Sequence, residues 1–210
     1  MNHGEIELNN LSIRLKDKII FKNLNHIFNR TTLNFIVGEN GSGKSTLIKA
    51  LNRIIKVDNG SIFVDGKDIN DISVEWLREK VSINFQQNQF ISNLIKDHLK
   101  FNTDFDSKNY SKAMSKIRKY INSSIGDVSL ITELSGGKRQ LISLYSSLCL
   151  NPDVLILDES FSNIDKQTTN FILKTLRELK SEITIIIITH DTSLINEDDN
   201  VLNLSKKIEV

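Results

Sequence analysis

Apolar and polar residues alternate at the start of the chain, in Ile6-Glu7-Leu8 and in Leu11-Ser12-Ile13, and short β segments continue through Ile19-Ile20-Phe21, Leu24, Ile27 and Phe28. Period two is strand spacing, so an antiparallel β layer is predicted ahead of the apolar run Leu33-Asn34-Phe35-Ile36-Val37. The period then lengthens. Leu47, Ile48, Leu51, Ile54 and Ile55 share one helical face, and Asp58-Asn59-Gly60 is expected to end that helix before a hairpin, Ser61 to Val64, closing at Asp65-Gly66. From about Asn88 to Glu133 the chain turns polar and helical, with Met114, Ile117, Lys119 and Tyr120 in one amphipathic pattern. Two continuous runs rich in β-branched residues follow, Val154-Leu155-Ile156-Leu157 and Ile183-Thr184-Ile185-Ile186-Ile187-Ile188, with a helical segment from Gln167 to Lys180 between them. Such runs are strands buried on both faces of a parallel sheet. The fold class is α/β: a mostly parallel central sheet, an N-terminal antiparallel β layer and an inserted helical subdomain.

At 210 residues the chain suits one α/β domain with an insertion better than two independent domains. Net charge is +1, from 27 basic and 26 acidic residues mixed along the sequence, so no field selects nucleic acid or an anionic membrane, and no nucleic-acid partner is expected. The longest apolar run, Ile183 to Ile188, falls far short of the roughly 18 residues a membrane span requires. The start, Met1-Asn2-His3-Gly4-Glu5-Ile6-Glu7, has neither a basic end nor an apolar stretch, and a cytoplasmic location is expected. The single cysteine, Cys149, falls at helical spacing from Leu141, Leu144, Tyr145 and Leu148, which reads as a buried core thiol.

The chemistry enters at Gly38-Glu39-Asn40-Gly41-Ser42-Gly43-Lys44-Ser45-Thr46, a G-x-x-x-x-G-K-[ST] pattern set between a strand and a helix. Its glycines allow successive backbone N–H groups to turn inward on the α- and β-phosphates of a nucleotide, and the following helix adds its positive dipole end. Lys44 is expected to reach the β- and γ-phosphates, and the Ser45 hydroxyl to ligand a bridging Mg²⁺. A nucleoside triphosphate with Mg²⁺ is therefore the predicted ligand. The run Val154 to Leu157 ends in Asp158-Glu159, and the end of a strand in an open α/β sheet is where ligands sit. Asp158 would join the Mg²⁺ shell. Glu159, expected on the opposite side of the strand, would act as general base on the attacking water.

A second Gly-rich turn opens a helix at Leu134-Ser135-Gly136-Gly137-Lys138-Arg139-Gln140, with Ser135 in position to cap it. This phrase, ahead of the strand ending in Asp158-Glu159, resembles the signature of the ATP-binding-cassette (ABC) family, and the resemblance covers essentially the whole chain. It implies a P-loop ATPase core at about 1–87 and 135–210, with a helical subdomain at about 88–134. It further implies that ATP is the ligand, and that Ser135, Gly136 and Gly137 act in trans on the γ-phosphate held by a second ABC ATPase domain, in a head-to-tail dimer. By the same resemblance Gln86, with Gln87 one residue away, is similar to the glutamine that touches Mg²⁺ and the attacking water and couples the site to a transmembrane partner. Ser162-Asn163-Ile164-Asp165 resembles the loop that crosses the dimer interface, with Asp165 as its anchoring acid, and His190 resembles the switch histidine that contacts the γ-phosphate.

Two positions depart from the family pattern. Leu15 stands where an aromatic residue usually stacks on adenine, which removes about 1 kcal/mol of stacking and implies weak or loosely selective base binding. Lys138 replaces the commoner signature glutamine. The phrase Val74-Glu75-Trp76-Leu77-Arg78-Glu79-Lys80-Val81, the segment Asn88 to Leu99 and Ile125-Gly126-Asp127 look like the exporter branch, and nothing follows Val210 that would form an importer-type regulatory domain. The expectation is an export ATPase on the cytoplasmic side of the cell membrane, bound there through a transmembrane partner on the same native chain or a separate subunit. An importer ATPase and a soluble non-transport ABC ATPase are the alternatives.

Overall fold

The computed structural model describes residues 4–85, 90, 92–97, 111–125, 130–161 and 164–205. Strand β1 (Ile6–Leu15) pairs antiparallel with β2 (Lys18–Phe28) and with β4 (Ile62–Val64), which pairs with β5 (Lys67–Asp68). The predicted short segments are thus two long strands, kept continuous by register shifts between Leu8 and Leu11, Leu11 and Ile13, and Ile13 and Arg14. The second sheet is parallel, in the order β6 (Val81–Asn84), β7 (Val154–Asp158), β8 (Thr184–Ile188), β3 (Leu33–Val37), β9 (Asn200–Asn203). The helices are α1 (Lys44–Leu51), α2 (Val74–Lys80), α3 (Ser111–Ile125), α4 (Gly136–Cys149) and α5 (Lys166–Leu179).

Strand alternation divides the apolar residues between two cores. Leu33, Phe35, Val37, Leu155, Leu157, Ile185 and Ile187 face α3, α4 and α5. Ile36, Val154, Ile156, Ile186 and Ile188 face α1, α2 and the antiparallel layer. Every residue of β3 and β8 is buried, as continuous apolar runs require. Truncating one of these isoleucines to alanine costs about 2–5 kcal/mol. The buried Asn34 interrupts β3 at no loss of hydrogen bonds: its amide donates to the carbonyls of Asn29 (2.7 Å) and Ile185 (3.0 Å) and accepts from the Asn29 N–H (2.8 Å).

The helix after the phosphate loop is shorter than its apolar spacing predicts. It stops at Leu51, because Arg53 takes a φ of 52° and the Ile54 N–H returns to the Lys49 carbonyl at 2.8 Å, a left-handed stop that leaves Ile54 60% exposed. Between residues 88 and 134, α3 buries Ala113, Ile117, Ile121 and Ile125 against α4 and α5, and Tyr120 stacks on Phe171 at 4.0 Å between ring centres. Lys119 lies on the exposed face of α3, outside the apolar stripe in which the sequence pattern placed it. A bridge between Leu94 and Leu130 closes the base of this segment. No helix among the described residues is long and apolar enough to cross a membrane.

Cys149 ends α4 with 2% exposure, and burial pushes its thiol up to about 12 despite a hydrogen bond with Tyr145 and the charge of Arg118. It should resist maleimide at neutral pH in the folded protein and react at once in denaturant. Stoichiometric labelling of the native chain within minutes would contradict this packing.

Candidate nucleotide-binding site

Because all strands of the second sheet are parallel, the carboxyl ends of β3, β8, β7 and β6 lie along one edge, where ligands of open α/β sheets bind. The register keeps them level: Ile36 pairs with Ile188, Ile188 with Asp158, and Leu157 with Asn84. From this edge β3 feeds the phosphate loop, β7 delivers Asp158 and Glu159, β8 leads into Thr189 and His190, and β6 ends at Asn84.

The loop closes through the Ser42 N–H to the Glu39 carbonyl (3.1 Å), and Glu39 is tied at its N–H to Ser205 Oγ (3.1 Å). Gly43 precedes α1 with a φ of 103°, and a Cβ there would come within 2.7 Å of Phe21 Cζ and 2.8 Å of Ile20 Cγ2. Glycine is required on both counts, conformation and space. With no side chain capping α1, its first N–H groups are offered to an anion. The hydroxyl of Ser42 is buried with no hydrogen-bond partner among the described residues, a further donor for a phosphate oxygen. Glu39, Asn40, Gly41 and Ser45 are exposed, Gly38 and Thr46 half-buried.

Lys44 is 7% exposed, and its Nζ donates to the carbonyls of Gly38 (2.7 Å) and Glu39 (3.1 Å) while standing 4.0 Å from Glu159 Oε1. Glu159 lies beyond β7 with a φ of 47°, and its N–H bonds to the Ile188 carbonyl (3.0 Å). This left-handed turn breaks strand alternation at Glu159, and the charge of Lys44, beside Glu159, also reaches Asp158. Burial, then the charge of Glu159, holds the Asp158 carboxyl above its ordinary 3.8, against the opposing pull of Lys44. A half-buried carboxyl raised by burial and by a neighbouring carboxylate suits a divalent cation. Among the described residues no three His, Cys, Asp or Glu side chains gather as a metal cage. Mg²⁺ takes one or two carboxylates together with substrate phosphates, and Asp158 offers one such carboxylate.

Other predicted residues occupy the periphery. Ser135 caps α4, accepting from the Lys138 N–H (3.5 Å), and Ser135 and Gly136 are exposed. Gly137 is buried against the start of α5: a Cβ there would meet Ile164 Cγ2 at 3.0 Å, Thr168 Cγ2 at 3.2 Å and Asp165 Oδ2 at 3.3 Å. Asp165 caps α5 through the Thr168 N–H (2.9 Å), a bond that holds its carboxyl below the ordinary range. His190 is exposed and borders a groove of about 880 Å³ shared with Phe161, Lys166 and Thr169. Leu15 is 39% exposed at the end of β1, and it is Ile20 and Phe21 of β2 that touch the loop at Gly43. Gln86 and Gln87, Ser162 and Asn163, Gly126 and Asp127, and, within Asn88 to Leu99, Asn88, Gln89, Ile91, His98 and Leu99 lie outside the described residues.

The sequence reasoning missed Asn84, Gln140 and Ser160, buried polar residues that meet behind the carboxylates. Their signals were a polar residue closing the strand after Val81, and the spacing Gln140, Ser143, Ser147 down one face of α4.

The ABC transporter family model matches residues 21–162. The chain is 37% identical over 182 residues to the energy-coupling factor transporter ATP-binding protein EcfA1 of Staphylococcus aureus (strain USA300), covering 81% of this chain and 66% of that protein. The EcfA1 protein of S. aureus (strain bovine RF122 / ET3-1) matches with the same identity and coverage. In structure, a bacterial Atm1-family ABC exporter with ATP bound superposes with a TM-score of 0.82 at 27% identity, over 98% of this chain and 37% of that one. This chain belongs to the ABC transporter family. The expected α/β P-loop fold, with antiparallel and parallel sheets, is borne out.

Two substitutions test the site. Gly43→Ala should cost about 1–3 kcal/mol of backbone strain and abolish triphosphate binding; calorimetry showing ordinary affinity would contradict the close packing of β2 on the loop. Asp158 carries a raised carboxyl, so the folded state holds its proton more tightly than the unfolded state does. Its ionisation therefore lowers stability as pH rises from the ordinary carboxylate range through the raised value. Asp158→Asn should melt higher than wild type at neutral pH without nucleotide, with the gap closing in acid. An equal or lower melting temperature at pH 7 would overturn the assignment.

Proposed function

We propose that this chain is an ATP-binding and ATP-hydrolysing domain or subunit that powers transport through an ATP-closed, head-to-tail dimer. The observation that carries this reading is the meeting of Lys44, Asp158 and Glu159 at the sheet edge that also holds the uncapped start of α1. The loop N–H groups and Lys44 bind the α-, β- and γ-phosphates of ATP, and Leu15 offers adenine an aliphatic face. Ser45, Asp158 and Gln86 would hold Mg²⁺, which would supply neutralisation of charge on the phosphates. Glu159, 4.0 Å from Lys44, accepts the proton of the attacking water, with Gln86 and His190 orienting the reacting groups. Ser135, Gly136, Gly137 and Asp165 serve the phosphate loop of the partner copy. The exposure of Ser135 and Gly136 at an uncovered helix start supports a role in trans.

Residues 1–87 and 135–210 form the ATPase core in this reading, and 88–134 form the helical subdomain that meets a transmembrane partner at the cytoplasmic face of the membrane. Export is the first reading of direction, supported by the likeness to an ATP-bound exporter over 98% of the chain. The second reading is an ATPase of an energy-coupling factor transporter, supported by 37% identity over 81% of the chain. Purification of the native complex discriminates them through the identity of the membrane subunit that co-purifies.

Lys44→Ala should lose triphosphate binding. Glu159→Gln should retain it while turnover falls by about a hundredfold or more. Light scattering should find Glu159→Gln converted from monomer to dimer by Mg-ATP. Parallel loss of binding in both variants would refute the role given to Glu159.

A further inference from the structure

Asn84, at the end of β6, is 2% exposed, yet its side-chain amide is fully used. Nδ2 donates to Ser143 Oγ at 2.8 Å and Ser147 Oγ at 3.1 Å. Oδ1 accepts from Gln140 Nε2 at 2.7 Å, and the single proton of Ser160 Oγ is shared between the Asn84 carbonyl at 3.3 Å and Oδ1 at 3.4 Å. An amide has two N–H donors and two acceptor lone pairs, so this one cannot turn without breaking bonds. Gln140 and Ser160 are 5% and 4% exposed.

The partners come from two pieces of the site. Gln140, Ser143 and Ser147 sit on one face of α4, the helix that Ser135, Gly136 and Gly137 open. Ser160 follows Glu159, whose own N–H is bonded to Ile188 on β8. Glu159 is thus held from β8 on one side and, through Ser160, from Asn84 on the other. The side-chain amide of Asn84 also fixes α4. Among the described residues, neither Lys44 nor the phosphate loop bonds to this network.

We propose that Asn84 is a positioning residue that locks the signature-bearing helix α4 and the carboxylate of Glu159 into one rigid unit, and so governs turnover rather than nucleotide affinity. The inference rests on the ATPase reading above and goes beyond it, since the network assigns a kinetic role to a strand residue that touches no nucleotide. Misplacement of a reacting group by about 1 Å costs on the order of a hundredfold in rate, whereas the phosphate contacts that dominate binding stay intact.

The test compares the purified wild-type chain with Asn84→Val and with the triple variant Asn84→Val, Ser143→Ala, Ser147→Ala, in which an apolar contact replaces the amide–hydroxyl bonds. Melting temperature, Kd for Mg-ATP, KM and kcat are measured for each. The single variant leaves buried hydroxyls unpaired and should melt lower. The triple variant should regain most of that loss while its kcat stays about ten- to a hundredfold below wild type, with KM and Kd within about twofold. Recovery of kcat together with melting temperature would reduce Asn84 to a packing role and overturn the inference, as would a Kd rising in proportion to the lost rate. A wild-type chain without any turnover would instead sink the ATPase reading, and this one with it.

Discussion

The parallel register of β6, β7, β8 and β3 is the constraint on which the rest depends. Hydrogen bonds that pair Ile36 with Ile188, Ile188 with Asp158 and Leu157 with Asn84 bring four strand ends to one level. A slip of one residue in any pair would exchange the faces of its apolar side chains, and burial on both sides makes such a slip costly. The same slip would move Asp158 by about 3.3 Å, the rise of one strand residue. Core packing therefore sets the accuracy of the site.

At that level edge, charge is arranged against the interest of the bare fold. Asp158 is pressed by burial and by Glu159 into a state that resists ionisation, with Lys44 offsetting part of that pressure. A Ser42 hydroxyl without a partner among the described residues and an uncapped helix start add unmet hydrogen-bonding capacity at the same place. These features are each destabilising alone and become favourable together with phosphates and a divalent cation. Sites that bind charge are commonly maintained in this way by stability supplied elsewhere.

Much of this was legible in the sequence, for physical reasons. The buried strands show as unbroken β-branched runs, since both faces of a parallel sheet exclude water. The phosphate loop shows because backbone sterics demand Gly43 and charge demands Lys44. Boundaries were harder: Ile54 keeps helical spacing, but the left-handed Arg53 has already ended the helix. The turn at Glu159 was invisible too, since nothing in Asp158-Glu159 announces a positive φ. The network around Asn84 could not be read because its members are separated by up to 76 residues, and only the fold brings them together.

Strand β8 gives alternate side chains to two cores, Ile185 and Ile187 to one and Ile186 and Ile188 to the other. The parallel sheet is thus a party wall between two apolar rooms. Opening either room exposes the back of the wall that the other needs, so neither can melt while its neighbour stays intact. A cavity beneath α5 and a cavity beneath α1 are therefore felt by the same cooperative unit, and damage remote from the nucleotide reaches the site as a smaller population of folded protein rather than as a deformed one.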